Sequence, residues 1–125
     1  MEYDAVKHIL IVDDDEMMRA FVKELLSMNN FRITEAANGK DGLKQFRDNT
    51  PDLVITDIIM PEMEGISFIR ALREINKDIP IIAMTGNIHG RMEEYLQISS
   101  QLGADAVLRK PVKSQEFLDA INLLI

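Results

Sequence analysis

The 125-residue chain contains no cysteine, no long apolar run and only six glycines. The absence of cysteine excludes disulfides, thiolate metal sites and thiol nucleophiles, and it favours a reducing compartment. No apolar segment approaches the roughly 20 residues that cross a bilayer, and no basic region precedes one as in a signal peptide. We therefore expect a cytoplasmic chain without membrane insertion. The glycines form neither a Gly-x-Gly-x-x-Gly nor a Walker sequence, which argues against a glycine-rich phosphate cradle.

Basic residues are also scarce, because 14 Lys and Arg stand against 21 Asp and Glu, for a net charge of −7. This balance argues against direct binding of nucleic acid, whose phosphates require a basic face. Part of the acidity lies in the run Asp-Asp-Asp-Glu at 13–16, which we interpret as a site. One of Asp14, Asp15 or Glu16 is also expected to favour the N-terminus of a helix. Hydrophobic residues make up 46% of the chain without a break in composition, which predicts one domain over residues 1–125.

Short, branched apolar segments alternate with amphipathic segments along the whole chain. The first kind predicts buried strands, at 8–13, 31–36, 52–57, 80–85 and 105–109. The second kind predicts helices, at 16–29, 40–48, 65–75, 90–101 and 114–125. In the first helix the predicted inward-facing residues are Met18, Phe21, Val22, Leu25 and Leu26. This alternation predicts an α/β fold with three layers, a doubly wound parallel sheet of five strands covered by five helices.

Three of the predicted strands end in residues that carry chemistry. The first runs into Asp13 and Asp14, the third into Asp57 and the fifth into Lys110. In an open parallel sheet the ligand site lies beyond the carboxyl ends of the strands, so these groups are expected to converge. Adjacent carboxylates repel each other unless a proton or a cation intervenes, and Mg²⁺ prefers such ligands. Asp57 could be a metal ligand, a nucleophile that forms an acyl phosphate, or both. Lys110 suits a carboxylate or phosphate oxygen, and Thr85 offers a hydroxyl at the same edge.

Four stretches, each at the end of a strand, carry a resemblance to a known family. The chain resembles the response-regulator receiver domains, to which the bacterial chemotaxis regulator belongs, over essentially all of its length. Each stretch alone is a weak signal, but the four in this order are specific. The resemblance implies a flavodoxin-like sheet of strand order 2-1-3-4-5. The stretches are Val12-Asp13-Asp14-Asp15, Asp-Ile-Ile-Met-Pro-Glu-Met-Glu-Gly at 57–65, Ala83-Met84-Thr85-Gly86 and Lys110-Pro111.

The resemblance implies a role in two-component signal transduction. Asp57 would accept a phosphoryl group from the phosphohistidine of a sensor histidine kinase or a phosphotransfer protein. Asp14, with Asp13 nearby or through water, would bind Mg²⁺ together with Asp57, with Mn²⁺ as a possible substitute. The backbone carbonyl of Ile59 would complete the ligands that the protein supplies. A chain of this kind would catalyse only its own phosphorylation and dephosphorylation, and would not be an enzyme acting on a separate substrate.

The resemblance also implies a conformational switch. Lys110 would contact the phosphoryl group, and Thr85 would swing inward to hydrogen-bond it. This movement would reshape the face formed by the fourth helix, fifth strand and fifth helix, which a partner or an output domain would recognise. The chain would be a monomer or a phosphorylation-dependent dimer. It departs from the family at Val107, where receivers often carry an aromatic residue, so the usual coupling of threonine to that aromatic is not implied.

Other classes of protein compete with this interpretation. A haloacid-dehalogenase-type phosphatase also uses an aspartate at a strand end, but it usually needs a second aspartate two residues later, where this chain has Ile59. A flavodoxin-like carrier should have a loop rich in glycine and hydroxyl groups after the first strand, where this chain has acidic residues. A receiver that works without phosphate should have lost the acceptor, the acidic pair or the lysine, and all of them remain. The phosphoacceptor switch is therefore favoured.

Overall fold

The computed structural model describes residues 6–58, 64–86 and 90–125. None of the helices in these residues combines the length and the apolar character needed to cross a membrane. The strands are β1 (His8–Val12), β2 (Arg32–Ala36), β3 (Leu53–Asp57), β4 (Ile81–Thr85) and β5 (Ala106–Arg109). The helices are α1 (Glu16–Met28), α2 (Gly39–Asp48), α3 (Glu64–Ile75), α4 (Met92–Leu102) and α5 (Ser114–Leu124).

The strands form one sheet in the order β2-β1-β3-β4-β5, and every neighbouring pair is parallel. The predicted α/β class and the strand order 2-1-3-4-5 are therefore confirmed. Residue Val12 of β1 lies opposite Thr56 of β3, and Asp57 lies opposite Met84 of β4. This register places the residues that follow β1, β3 and β4 at the same edge of the sheet, as expected of parallel strands with helical crossovers.

Each predicted strand and helix is confirmed in type, with small differences at the ends. The largest difference is at α4, which was predicted to begin at residue 90 and begins at Met92. Gly90 has a positive φ of 67°, and Arg91, the residue before the helix, has a φ of −108° and a ψ of 21°. These two residues do not have helical geometry, so the helix begins after them.

The apolar core consists of two layers, one on each face of the sheet. Because successive side chains of a strand point to opposite faces, β1 contributes Leu10 and Val12 to one layer and Ile9 and Ile11 to the other. The first layer packs against α2, α3 and α4, and the second packs against α1 and α5. The central strands β1, β3 and β4 are buried on both faces, in agreement with the apolar runs that make up most of each strand.

The prediction for the inner face of α1 was wrong at Phe21. Val22 and Leu26 are fully buried, and Met18 and Leu25 are partly buried against the same core layer. Phe21 is 43% exposed, and its ring lies 6.5 Å from that of Phe117 on α5. The apolar stripe of α1 is wider than the face that the sheet covers, so Phe21 lies at the margin and packs against the neighbouring helix.

Helix α5 offers a matched pair of substitutions that tests this packing. Ile121→Ala should lower the free energy of unfolding by about 2–5 kcal/mol, because it leaves a cavity at a fully buried position. Leu123→Ala, at a position that is 88% exposed, should change the free energy of unfolding by less than about 0.5 kcal/mol. Urea unfolding followed by circular dichroism measures both. Equal losses in the two variants would contradict the assignment of the faces of α5.

Candidate functional site

Three carboxylates meet at the carboxyl edge of the sheet. Asp13 and Asp14 follow β1, and Asp57 is the last residue of β3. One carboxylate oxygen from each of the three lies within 4.8 Å of the others. Asp13 and Asp57 are buried and Asp14 is exposed, so the cluster opens to solvent on one side. The parallel pairing of β1 with β3 thus brings together residues that are far apart in the sequence.

Lys110 reaches this cluster from the end of β5, although β4 lies between β5 and β3. Its ammonium group donates a hydrogen bond of 2.8 Å to Oδ2 of Asp57 and lies 3.5 Å from Oδ2 of Asp13. Burial by itself lowers the pKa of Lys110, but the hydrogen bond and charge of Asp57, together with the charge of Asp13, raise it above its ordinary value. The lysine is therefore a fixed positive charge beside two buried carboxylates. Its peptide bond to Pro111 is cis.

Asp13 is the most constrained of the three carboxylates. Its Oδ1 accepts a 2.9 Å hydrogen bond from the backbone N–H of Asp15. Its Oδ2 is buried and has no hydrogen-bond partner within the described residues, since the lysine at 3.5 Å forms a longer ion pair. Burial raises the pKa of Asp13 to about 6, and the charges of Asp57 and Asp14 act in the same direction. The hydrogen bond from Asp15 and the charge of Lys110 act in the opposite direction.

The four acidic residues at 13–16 have two roles. Two belong to the carboxylate cluster, and the other two lie at the start of α1. Asp15 is the N-cap of α1, and its Oδ1 accepts hydrogen bonds from the backbone N–H groups of Met17 and Met18 at 3.0 and 3.2 Å. Glu16 lies in the first turn of α1. Asp13 and Asp14 therefore remain for the cluster, while Asp15 satisfies backbone donors that the helix leaves without partners.

Arg19 contacts the site and was not predicted from the sequence. Its Nη1 donates a 2.7 Å hydrogen bond to the backbone carbonyl of Asp13, and its Nε lies 3.7 Å from Oε1 of Glu35 on β2. Lys23 lies 3.2 Å from the other oxygen of Glu35. The partner of Arg19 in the site is a backbone oxygen, which no side-chain pattern reveals.

The remaining predicted residues have different positions relative to the cluster. Thr85 ends β4 and is fully buried, and its hydroxyl donates a 3.1 Å hydrogen bond to the carbonyl of Gly86. Ile59, whose backbone carbonyl was predicted as a metal ligand, lies outside the described residues. Val107 is partly buried and packs against the core layer beneath α4.

The composition of the cluster suits a hard divalent cation. Mg²⁺ is bound through carboxylate oxygens and retains several water molecules, which requires access from solvent. Asp13, Asp14 and Asp57 provide the oxygens, and exposed Asp14 marks the open side. Oδ2 of Asp13, buried without a hydrogen bond among the described residues, is the kind of atom that a cation would satisfy.

Comparison with known proteins agrees with this geometry. The model of the response regulator receiver domain family matches residues 9–122. The chain belongs to this family. It is 36% identical to the chemotaxis protein CheY of Bacillus subtilis (strain 168), over 91% of the chain and 93% of that protein. It is 32% identical to the regulatory protein VirG of Agrobacterium fabrum, over 98% of the chain but only 47% of that protein.

A solved structure supports the same family. The response regulator receiver domain protein from Clostridium thermocellum has a TM-score of 0.87 and 32% identity, and the match covers 96% of this chain and 94% of that one. The chain is therefore a response-regulator receiver domain of two-component systems. Receiver domains are signalling phosphoacceptors, and they typically bind Mg²⁺ at an acidic pocket. They interact with histidine kinases or phosphotransfer partners and with output domains.

The raised pKa of Asp13 predicts a pH dependence of stability in EDTA. The folded-state pKa of about 6 exceeds the ordinary value of 3.8, so the folded state binds more protons between these pH values. The free energy of unfolding should therefore lose the contribution of Asp13 as the pH rises from 4 to 6. Asp13→Asn removes this titration, so its stability relative to wild type should be greater at pH 7 than at pH 4.5. Urea unfolding measures the difference, with the variant of an exposed residue, Asp48→Asn, as control. A difference independent of pH would contradict the burial argument.

Proposed function

We propose that this chain accepts a phosphoryl group on Asp57, in a Mg²⁺-dependent reaction, from a sensor histidine kinase or a phosphotransfer protein. The observation that carries the proposal is the position of the Asp57 carboxylate. It lies 2.8 Å from the Lys110 ammonium and within 4.8 Å of oxygens from two further carboxylates, at the edge of the sheet. A cation, a nucleophilic oxygen and a fixed positive charge are the groups that phosphoryl transfer needs.

In the proposed reaction an oxygen of Asp57 attacks the phosphorus of a phosphohistidine. The bond between phosphorus and the imidazole nitrogen breaks, the imidazole leaves, and an acyl phosphate forms on Asp57. Bound Mg²⁺ would neutralise charge on the phosphoryl oxygens. Asp13 and Asp14, with Asp57 and the backbone carbonyl of Ile59, are the proposed ligands. Lys110 already contacts Asp57 and would exchange this contact for a phosphoryl oxygen.

Thr85 is the proposed link between the site and the face formed by α4, β5 and α5. Its backbone is fixed, because its carbonyl accepts a 2.8 Å hydrogen bond from the N–H of Lys110. Its hydroxyl donates a hydrogen bond to the carbonyl of Gly86, a neutral acceptor. A phosphoryl oxygen is a charged acceptor and forms a stronger hydrogen bond than a neutral carbonyl. The hydroxyl would therefore turn toward the phosphoryl group, and the segment that leads into α4 would follow.

The proposal also includes the cellular location, the partners and the oligomeric state of the domain. Residues 1–125 act as a single receiver domain in the cytoplasm, and the chain catalyses only its own phosphorylation and dephosphorylation. The reshaped face controls a partner protein or an output domain, with the chain as a monomer or as a phosphorylation-dependent dimer. The net charge of −7 supports a protein partner and no direct contact with nucleic acid.

The acceptor can be tested with acetyl phosphate as the phosphodonor. Incubation with acetyl phosphate and Mg²⁺ should add a single phosphoryl group to the wild-type chain, detected by intact mass. Asp57→Asn and EDTA should each abolish the adduct, because one removes the nucleophilic oxygen and the other the cation. Asp48→Asn, at an exposed position on α2, should be phosphorylated like wild type. An adduct that persists in Asp57→Asn would refute the assignment of the acceptor.

The coupling through Thr85 has its own test. Thr85→Ala should still accept the phosphoryl group but lose most of the phosphorylation-dependent amide shifts in α4, β5 and α5, because it lacks the hydroxyl. Thr85→Ser keeps the hydroxyl and should retain them. Two-dimensional amide NMR spectra before and after phosphorylation measure the shifts. If Thr85→Ala shows the same shifts on this face as wild type, the hydroxyl does not carry the coupling.

A further inference from the structure

An arginine side chain outside the carboxylate cluster forms a hydrogen bond to the peptide group that joins Asp13 to Asp14. Its carbonyl oxygen accepts the 2.7 Å hydrogen bond from Nη1 of Arg19, on the first turn of α1. Two further hydrogen bonds fix Asp13, one through its backbone N–H and one through its carboxylate. Its N–H donates to the carbonyl of Ala36 at 3.1 Å, and its Oδ1 accepts from the N–H of Asp15. Arg19 therefore completes the set of hydrogen bonds that orients the backbone at Asp13.

The orientation of this peptide group decides where the carboxylate of Asp14 lies. A peptide group is planar, so the direction of its carbonyl fixes the direction in which the chain continues to the next Cα atom. Asp14 is exposed, so packing against neighbouring side chains does little to orient its carboxylate. Its distance to the oxygens of Asp13 and Asp57 depends mainly on the backbone. Rotation of the peptide plane would therefore open the three-carboxylate cluster.

The positive charge of Arg19 is offset by Glu35. Nε of Arg19 lies 3.7 Å from Oε1 of Glu35, and the arginine side chain is only 17% exposed. Different nitrogen atoms of the same planar guanidinium thus face the backbone carbonyl and the carboxylate, which a single lysine ammonium reproduces poorly. Since Glu35 compensates the charge, the principal effect of Arg19 on the cluster is through its hydrogen bond.

We infer that Arg19 is a positioning residue of the magnesium site: by holding the carbonyl of Asp13, it keeps the carboxylate of Asp14 in place to bind the cation. The inference rests on the proposed function because it takes Asp13 and Asp14 as metal ligands. Loss of groups that orient metal ligands typically weakens metal affinity by about 10- to 100-fold. A simple charge effect would have the opposite sign, because removal of a nearby positive charge strengthens the binding of a cation.

Titration of the full chain with MgCl₂ by isothermal calorimetry separates these two effects. Arg19→Ala should raise the dissociation constant of Mg²⁺ by at least about tenfold. Lys23→Ala is the matched control, because it removes the exposed cation on the other side of Glu35 without touching the carbonyl. It should leave the constant within about twofold of wild type, since exposed ion pairs contribute little. Arg19→Lys keeps the positive charge and one hydrogen-bond donor, so its dissociation constant for Mg²⁺ should lie between those of wild type and Arg19→Ala. If Arg19→Ala does not fold, the comparison of Arg19→Lys with wild type tests the inference.

The magnesium dependence of phosphorylation by acetyl phosphate provides a second readout. In Arg19→Ala the Mg²⁺ concentration at half-maximal rate should rise, while the rate at saturating Mg²⁺ should stay near that of wild type. A general structural defect would lower the rate at saturation as well.

Several results would overturn the inference. These are a wild type that does not bind Mg²⁺, an Arg19→Ala variant that binds it as tightly as wild type or more tightly, or equal losses in Arg19→Ala and Lys23→Ala. A different result would refute the proposed function without refuting the inference about Arg19. If wild type binds Mg²⁺ but forms no adduct, while Arg19→Ala weakens binding, the inference about Arg19 survives and the phosphoacceptor role does not.

Discussion

The fold has to hold three carboxylates close together at one edge of its sheet, and two of them are buried. Asp13 and Asp57 are buried there, Asp14 lies beside them, and within the described residues Lys110 is the cation paired with the first two. Burial of carboxylates and repulsion between them both cost free energy, and burial is the larger cause of the raised pKa of Asp13. Such a cluster persists only where the backbone on both sides is rigid. The parallel pairing of β1 with β3, buried on both faces, provides that rigidity.

The magnitude of this cost explains why the cluster needs a complete three-layer fold around it. Two unit charges 4 Å apart near a protein surface repel by roughly 4 kcal/mol, which is comparable to the 5–15 kcal/mol net stability of a whole domain. A fully buried aliphatic or aromatic side chain contributes about 1.5–3 kcal/mol. The two core layers, with Phe68 in one and Phe117 in the other, supply burial that helps to offset this cost. A cation that binds the cluster would relieve the repulsion, so binding and stability are linked.

The sequence made most of the fold predictable because strand and helix periodicities alternate without interruption. The alternation did not determine the order of the strands in the sheet, because it is compatible with several orders. Only the family resemblance implied the order 2-1-3-4-5. The convergence of Asp13, Asp57 and Lys110 could be predicted because each ends an apolar run. Arg19 could not be, because its partner is a backbone carbonyl that every residue possesses. Phe21 was predicted to face the core but lies at the margin of the apolar stripe, because periodicity shows the width of the stripe but not how much of it the sheet covers.

Within the part of the chain that the structure describes, the contacts at the two ends of α4 differ in strength. At the carboxyl end, Arg73 donates two hydrogen bonds to the carbonyl of Gly103 and one to that of Ile79. At the amino end, the exposed ion pair between Arg109 and Glu93 joins the helix to β5 at 2.9 Å. Hydrogen bonds from a charged group contribute about 1.5–3 kcal/mol each, whereas an exposed ion pair contributes about 0–1 kcal/mol. Among the contacts of the described residues, those at the amino end of α4 are therefore weaker than those at its carboxyl end.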